Sequence, residues 1–194
     1  MLRIAAALAA GLLSLSAYAD PRAEVLAAYE KMLNGPPYQS DMTVVAGGRT
    51  SKTTVIIDLP DRFHIKNEGG EFILTPEGNW MKPAGSAQWM QPPMDLSAMK
   101  QPFSPELVEK GMAAIANVEA LGTERVGSAD TKVYRYTQDL EVMGVRSEST
   151  STVYVDQATG LPVRFASKGK AMGVESDTTQ DLRYDEGLAV KAPN

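Results

Sequence analysis

Apolar residues first recur with helical spacing. Val25, Leu26, Tyr29, Met32 and Leu33 form one stripe, the mark of an amphipathic helix that must lie on something apolar. Asp20-Pro21 opens it with an N-cap residue and a proline at the first helical position, and Asn34-Gly35-Pro36-Pro37 closes it. From residue 38 the period changes to two. Residues 38–46, 51–59, 62–67, 71–75, 79–82 and 88–91 read as short strands separated by Gly- and Pro-rich turns. Residues 92–117 interrupt this pattern. Pro92-Pro93 leads into a short helical turn over 94–100, and Ser104-Pro105 repeats the capping signature before Leu107, Val108, Met112 and Ile115, the buried stripe of a second helix. Strands then resume over 118–126, 132–140, 145–156, 162–168, 174–184 and 188–191.

Connections this short join antiparallel neighbours, because a parallel return needs a crossover of a dozen residues or more. The pattern predicts an α+β chain, mostly antiparallel β, with one sheet of about eleven strands. So many short strands must curl. The sheet can close as a barrel, split into a sandwich, or stay half-open. A closed barrel filled by its own side chains leaves no place for two amphipathic helices. An unclosed half-barrel is therefore predicted, with helices covering the concave apolar face.

Several strands alternate cleanly. Phe63 and Ile65 stand between Arg62, His64 and Lys66; Phe72 and Leu74 alternate with Glu71, Ile73 and Thr75; Val163 and Phe165 flank Arg164. These are strands with one wet face. Residues 79–103 differ. Asn79-Trp80-Met81-Lys82-Pro83 is echoed by Gln88-Trp89-Met90-Gln91-Pro92, so each repeat carries large apolar groups on both faces. Met94, Met99 and Phe103 follow closely. Methionine suits a surface that accepts ligands of variable shape, and equally fills irregular gaps between a helix and a sheet. Both readings stand at this point.

The N-terminus changes the setting. In MLRIAAALAAGLLSLSAYA, Arg3 supplies a positive start, residues 4–15 an apolar run, and Ala17-Tyr18-Ala19 a small-x-small cleavage site. Residues 1–19 are expected to be a signal peptide cleaved after Ala19, leaving 20–194 as a single domain in the periplasm. No Cys stands at the junction to carry a lipid. The chain of 194 residues holds 19 Lys+Arg, 24 Asp+Glu, one His and no Cys. Loss of Arg3 makes the mature chain one charge more negative than the full-length −5. Zero cysteines remove disulfides, thiolate metal sites and thiol nucleophiles, and the acidic balance gives no footprint for nucleic acid.

Catalytic chemistry is sparse. His64, the single histidine, lies on the polar side of its strand beside Arg62 and Lys66. No nearby residue suggests the nucleophile and orienting acid that a Ser-His-Asp arrangement needs. One histidine with carboxylates makes a poor zinc site, and no HExxH spacing occurs. Lys168-Gly169-Lys170 lacks the spacing of a phosphate loop. Acidic residues are scattered, with no pair singled out for glycoside chemistry. The sequence predicts no enzyme, no metal and no cofactor.

Three stretches carry a family resemblance. Leu59-Pro60-Asp61-Arg62-Phe63-His64 resembles a proline-x-arginine-phenylalanine entry into a strand. Thr75-Pro76-Glu77-Gly78-Asn79-Trp80 resembles a turn presenting a tryptophan. Val153-Tyr154-Val155-Asp156 running to Thr159-Gly160-Leu161-Pro162-Val163-Arg164 looks like a late hairpin. Together with the element order, they make the chain similar to the outer-membrane lipoprotein carrier superfamily. That grouping takes in the Lol carriers, mycobacterial lipid-carrier lipoproteins and the N-terminal domain of periplasmic envelope-stress regulators. The resemblance covers nearly the whole mature chain.

The resemblance implies a monomeric periplasmic carrier that holds acyl chains in a helix-lidded apolar cavity. Its cargo would be a lipid or an acylated protein, passed between membrane-bound donor and acceptor proteins. Phe63, Ile65, Phe72, Leu74, Val163 and Phe165 would form the floor. Trp80, Trp89, Met90, Met94, Met99 and Phe103 would line or gate the cavity, with hinges at Gly35-Pro36-Pro37 and Pro92-Pro93. The stress-regulator branch implies an alternative, a sensor that binds a partner protein. Such proteins usually carry a further C-terminal domain, for which a chain ending at Asn194 is expected to leave no room.

Overall fold

The computed structural model describes residues 20–93, 96, 99–101, 104–142 and 145–193. The expected signal peptide, Met94 and Phe103 lie outside the described residues. The order is α1 (Pro21–Leu33), β1 (Tyr38–Ala46), β2 (Arg49–Asp58), β3 (Arg62–Asn67), β4 (Gly70–Thr75), β5 (Gly78–Pro83), α2 (Pro105–Ala113), β6 (Ala116–Val126), β7 (Ala129–Val142), β8 (Val145–Asp156), β9 (Pro162–Ala171) and β10 (Val174–Tyr184). The strands form one antiparallel sheet in the order β5-β4-β3-β2-β1-β10-β9-β8-β7-β6. Its edges, β5 and β6, do not pair, so the sheet is an unclosed half-barrel.

Among the described residues ten strands are formed. Two segments expected as strands do something else. Residues 88–91 contribute a single bridge, Met81 to Met90, at the free edge of β5. After β10 the chain makes a short 3-10 turn, Glu186–Leu188, capped by the Asp185 carboxylate. It then places the Val190 amide on Asp58 instead of joining the sheet.

Both helices start where their caps predict. The Asp20 carboxylate accepts from the Arg22 amide, and the Ser104 hydroxyl from the Leu107 amide, each beside a proline that needs no donor. α1 ends tightly against its own last turn. A Cβ on Gly35 would come within 2.7 Å of the Lys31 carbonyl oxygen, so a glycine is required there. Gly70, the first residue of β4, has φ +133°, and a Cβ would run into the Lys82 carbonyl oxygen.

Directly opposed residues in antiparallel strands share a face, so the register traces each face across the sheet. One row runs Met81, Phe72, Ile65, Val55, Ser40, Leu182. Farther along, Met42, Gln180, Phe165, Val153 and Tyr134 stand in line on the same face. α1 lies over this concave face, with Val25 and Ala28 buried among Ile115, Tyr134, Tyr136, Val153 and Val155. One turn on, Met32 is buried among Tyr38, Val55, Ile57, Phe63, Ile65, Leu74, Leu96 and Leu182. Tyr29 and Phe165 border both clusters and stack at a ring separation of 5.4 Å. α2 packs against β7, where Gln138 donates to the Gly111 carbonyl. Its Leu107, Val108 and Met112 are half-buried rather than buried. Ile115 lies beyond the end of α2 and is the fully sheltered member of the stripe expected there.

Candidate functional site

The concave apolar face is the candidate site, and the structure divides the expected site residues by face. Phe63 and Leu74 oppose each other, as do Ile65 and Phe72, on adjacent strands of the concave side. Phe165, half-buried, opposes Val153 on that side, and Val163, also half-buried, lies at the irregularity where β9 shifts register against β8. Met99 packs against the first apolar cluster. Met90 shares the concave side of its bridge with Met81 and is 45% exposed.

The two tryptophans lie on the other side of the sheet. Trp80 opposes Ile73, which opposes His64, all on the convex face. Trp89 packs there as well, edge-on to His64 at 6.0 Å with the Lys82 ammonium 5.0 Å from its ring. The physical reason is the period of two: with Met81 turned inward beside Phe72, its neighbour Trp80 must turn outward. The same holds for Met90 and Trp89. On this convex patch His64 bonds Glu71 at 3.1 Å, and Glu71 also meets Lys82 at 2.8 Å. Those bonds, Lys82 first, hold the Glu71 carboxyl below its usual range. His64 is thus a partnered, half-buried residue on a mixed aromatic and charged patch.

The residues that hold α1 over the concave face are polar and were not singled out from the sequence as site residues. The Tyr29 hydroxyl meets the Tyr136 hydroxyl at 2.6 Å. Burial, with Tyr136 adding to it, pushes the Tyr29 hydroxyl far up in pKa, and burial likewise raises Tyr136. At the rim, Glu24 of α1 bonds Tyr134 and Lys132 of β7, and the Arg22 guanidinium donates to the Ile115 carbonyl at 3.1 Å. The signal for this seam was the run Tyr134–Tyr136 on a strand opposite the helix stripe, but one strand's face cannot be tied to one helix without the fold.

Along the strands the concave face changes character. β9 runs Phe165, Ser167, Gly169; β8 runs Val155, Val153, Ser151, Ser149; β10 runs Leu182, Gln180, Thr178, Ser176. The apolar end lies beneath α1. The small and hydroxylated end borders a hollow of about 860 Å³, bounded by Ala46, Gly47 and Gly48 on one side and Ala114, Ala116 and Asn117 on the other. None of the ten expected site residues that the structure describes lines that hollow.

No family model matches this sequence, and no curated protein matches it. Solved structures do. The Mycobacterium tuberculosis lipoprotein LppX aligns over 88% of this chain and 98% of its own at a TM-score of 0.57, with 15% sequence identity. LprF from Mycobacterium bovis aligns over 90% of this chain and 97% of its own at 0.56, with 14% identity. MucB is more distant, at a TM-score of 0.49. The chain is thus an unclosed half-barrel, as expected from the sequence, with the overall fold of LppX and LprF. That fold extends over nearly the full length of each.

Proposed function

We propose that the protein is an exported, periplasmic carrier or binding protein for lipids or lipidated proteins, released from its leader after Ala19, and that it is not an enzyme. The observation that carries this reading is the apolar patch of the concave face, Phe63, Ile65, Phe72 and Leu74 with Phe165 packed against it, covered by one short helix rather than by a second sheet. Burial of an acyl chain is worth about 0.8 kcal/mol per methylene, and an apolar face of this kind can match that. α1 is fastened at its rim by Glu24, Lys132 and Arg22, groups that water can replace. Met90 and Met99, flexible and half-exposed or partly buried at the margin, suit a boundary that adapts to cargo. The fold shared with two lipoproteins supports the same reading.

Native mass spectrometry of protein purified from periplasm without detergent, followed by solvent extraction, tests it. Extra mass resolving into phospholipid, acyl or acylated-peptide species is the expected result. A bare polypeptide mass, unchanged after incubation with phospholipid vesicles, would overturn it.

A further inference from the structure

The acyl-binding reading accounts for the apolar end of the concave face and leaves the 860 Å³ hollow at the other end without a role. Its floor is set by four adjacent strands whose inward residues fall in register: Ala46 opposes Ser176, Ser176 opposes Gly169, and Gly169 opposes Ser149. These side chains reach almost nowhere, so the space is inherent in the floor. They are half-buried, whereas their outward neighbours Glu148, Lys168, Lys170, Glu175 and Asp177 are exposed, which places the shelter on the concave side.

The chemistry changes with the volume. The lining presents hydroxyls from Ser149 and Ser176 and the amide of Gln138, whose nitrogen donates to the Gly111 carbonyl. Two lysines stand against four carboxylates around it, and Lys168 is already drawn toward Asp177 at 3.8 Å. Such a site has hydrogen-bonding groups of both senses and no surplus of cations to hold a phosphate.

Building on the carrier reading, the geometry points to a headgroup site: the hollow takes the uncharged polyhydroxyl headgroup of an amphiphile whose chain lies along the apolar floor beneath α1. The chain runs from Phe165 and Val153 toward Ser167 and Ser151, and the headgroup sits over Gly169, Ser149 and Ser176. A sugar and a glycerol share the required chemistry.

Calorimetric titration of the full exported chain with octyl β-glucoside, 1-octanoyl glycerol, octyl phosphate and 1-octanol, each below its micelle concentration, tests this. Both polyols are expected to bind about tenfold tighter than octyl phosphate or octanol, the scale of one or two added neutral hydrogen bonds. The tighter of the two polyols identifies the source as sugar or glycerol. Gly169→Leu fills the hollow without backbone conflict, since a Cβ there meets its nearest atoms at 3.5–3.6 Å. It should abolish the polyol preference and leave octanol binding intact. The double variant S149A/S176A keeps the volume and should narrow the preference several-fold. Polyols no tighter than octanol, or a preference that survives Gly169→Leu, would overturn the headgroup site while octanol binding upholds the carrier reading. Failure of all four probes to bind would overturn both.

Discussion

The hydroxyls of Tyr29 and Tyr136 lie 2.6 Å apart at the centre of the concave face and tie α1 to β7. Between them they join a helix and a strand more than a hundred residues apart in the chain. Tyr136 also bonds Ser151, and Ser151 bonds Ser167 at 3.0 Å, so the contact begins a polar line that leads out of the apolar core.

Removing one hydroxyl of this pair should be costly, because it leaves the other in a buried site with fewer partners. Tyr29→Phe is expected to lower unfolding free energy by about 1–2 kcal/mol in urea titration. The double variant with Tyr136→Phe should cost less than the sum of the two singles. Additive losses would show that the hydroxyls do not depend on each other.

The buried tyrosines also set the alkaline limit of stability. Burial raises Tyr29 and Tyr136, and pushes Tyr38 up to about 12. A proton held more tightly in the folded state contributes stability that is fully present below the unfolded-state pKa and is lost as pH rises through the folded-state pKa. Stability should therefore be flat below pH 10 and fall as pH rises from the ordinary tyrosine value of 10.0 through about 12. Tyrosinate absorbance and circular dichroism should change together. Tyrosinate forming well before the fold is lost would contradict the burial.

At acid pH the sign reverses. The Arg62 guanidinium bonds Glu77 and holds its carboxyl down to about 2, against an ordinary value of 4.5. The stability contributed by this pair is present above pH 4.5 and is lost as pH falls toward 2. Glu77 is exposed and Arg62 only half-buried, so solvent screens the pair and the effect is small. Glu77→Gln should flatten this part of the acid limb, and an unchanged acid titration of stability would show that the pair contributes nothing.

Face assignment separates two classes of variant. Phe72→Asp and Phe165→Asp place a charge on the concave floor and should reduce lipid loading by at least tenfold in a native mass assay. Trp89→Ala, on the convex face, should leave loading unchanged while altering the fluorescence that its contacts with His64 and Lys82 set. Loss of loading in Trp89→Ala with an unchanged circular dichroism spectrum would move the site to the other face.

Leu74 has no exposed surface and opposes Phe63 in the first apolar cluster. Leu74→Ala should cost about 2–5 kcal/mol, as for other fully buried leucines. Chemical denaturation measures it. A loss below 1 kcal/mol would mean that the floor beneath Met32 relaxes into the space.

The local chemistry of the chain settled a good deal. Asp20-Pro21 and Ser104-Pro105 set both helix starts, because a cap and a proline act within one turn and need nothing distant. Alternation over Phe63–Ile65 and Phe72–Leu74 marked the apolar face of those strands, since a period of two is a property of the strand alone. The short loops made the neighbours antiparallel. The tertiary structure decided what depends on register and on which strand meets which. It turned Trp80 and Trp89 away from the floor, because the inward turn of Met81 and Met90 is fixed by pairing to β4 and β5. It left 88–91 with one bridge, and spent the last residues on Asp58 rather than on another strand. It also aligned Ala46, Ser176, Gly169 and Ser149 into one hollow, four residues from four strands whose spacing along the chain carries no trace of their adjacency.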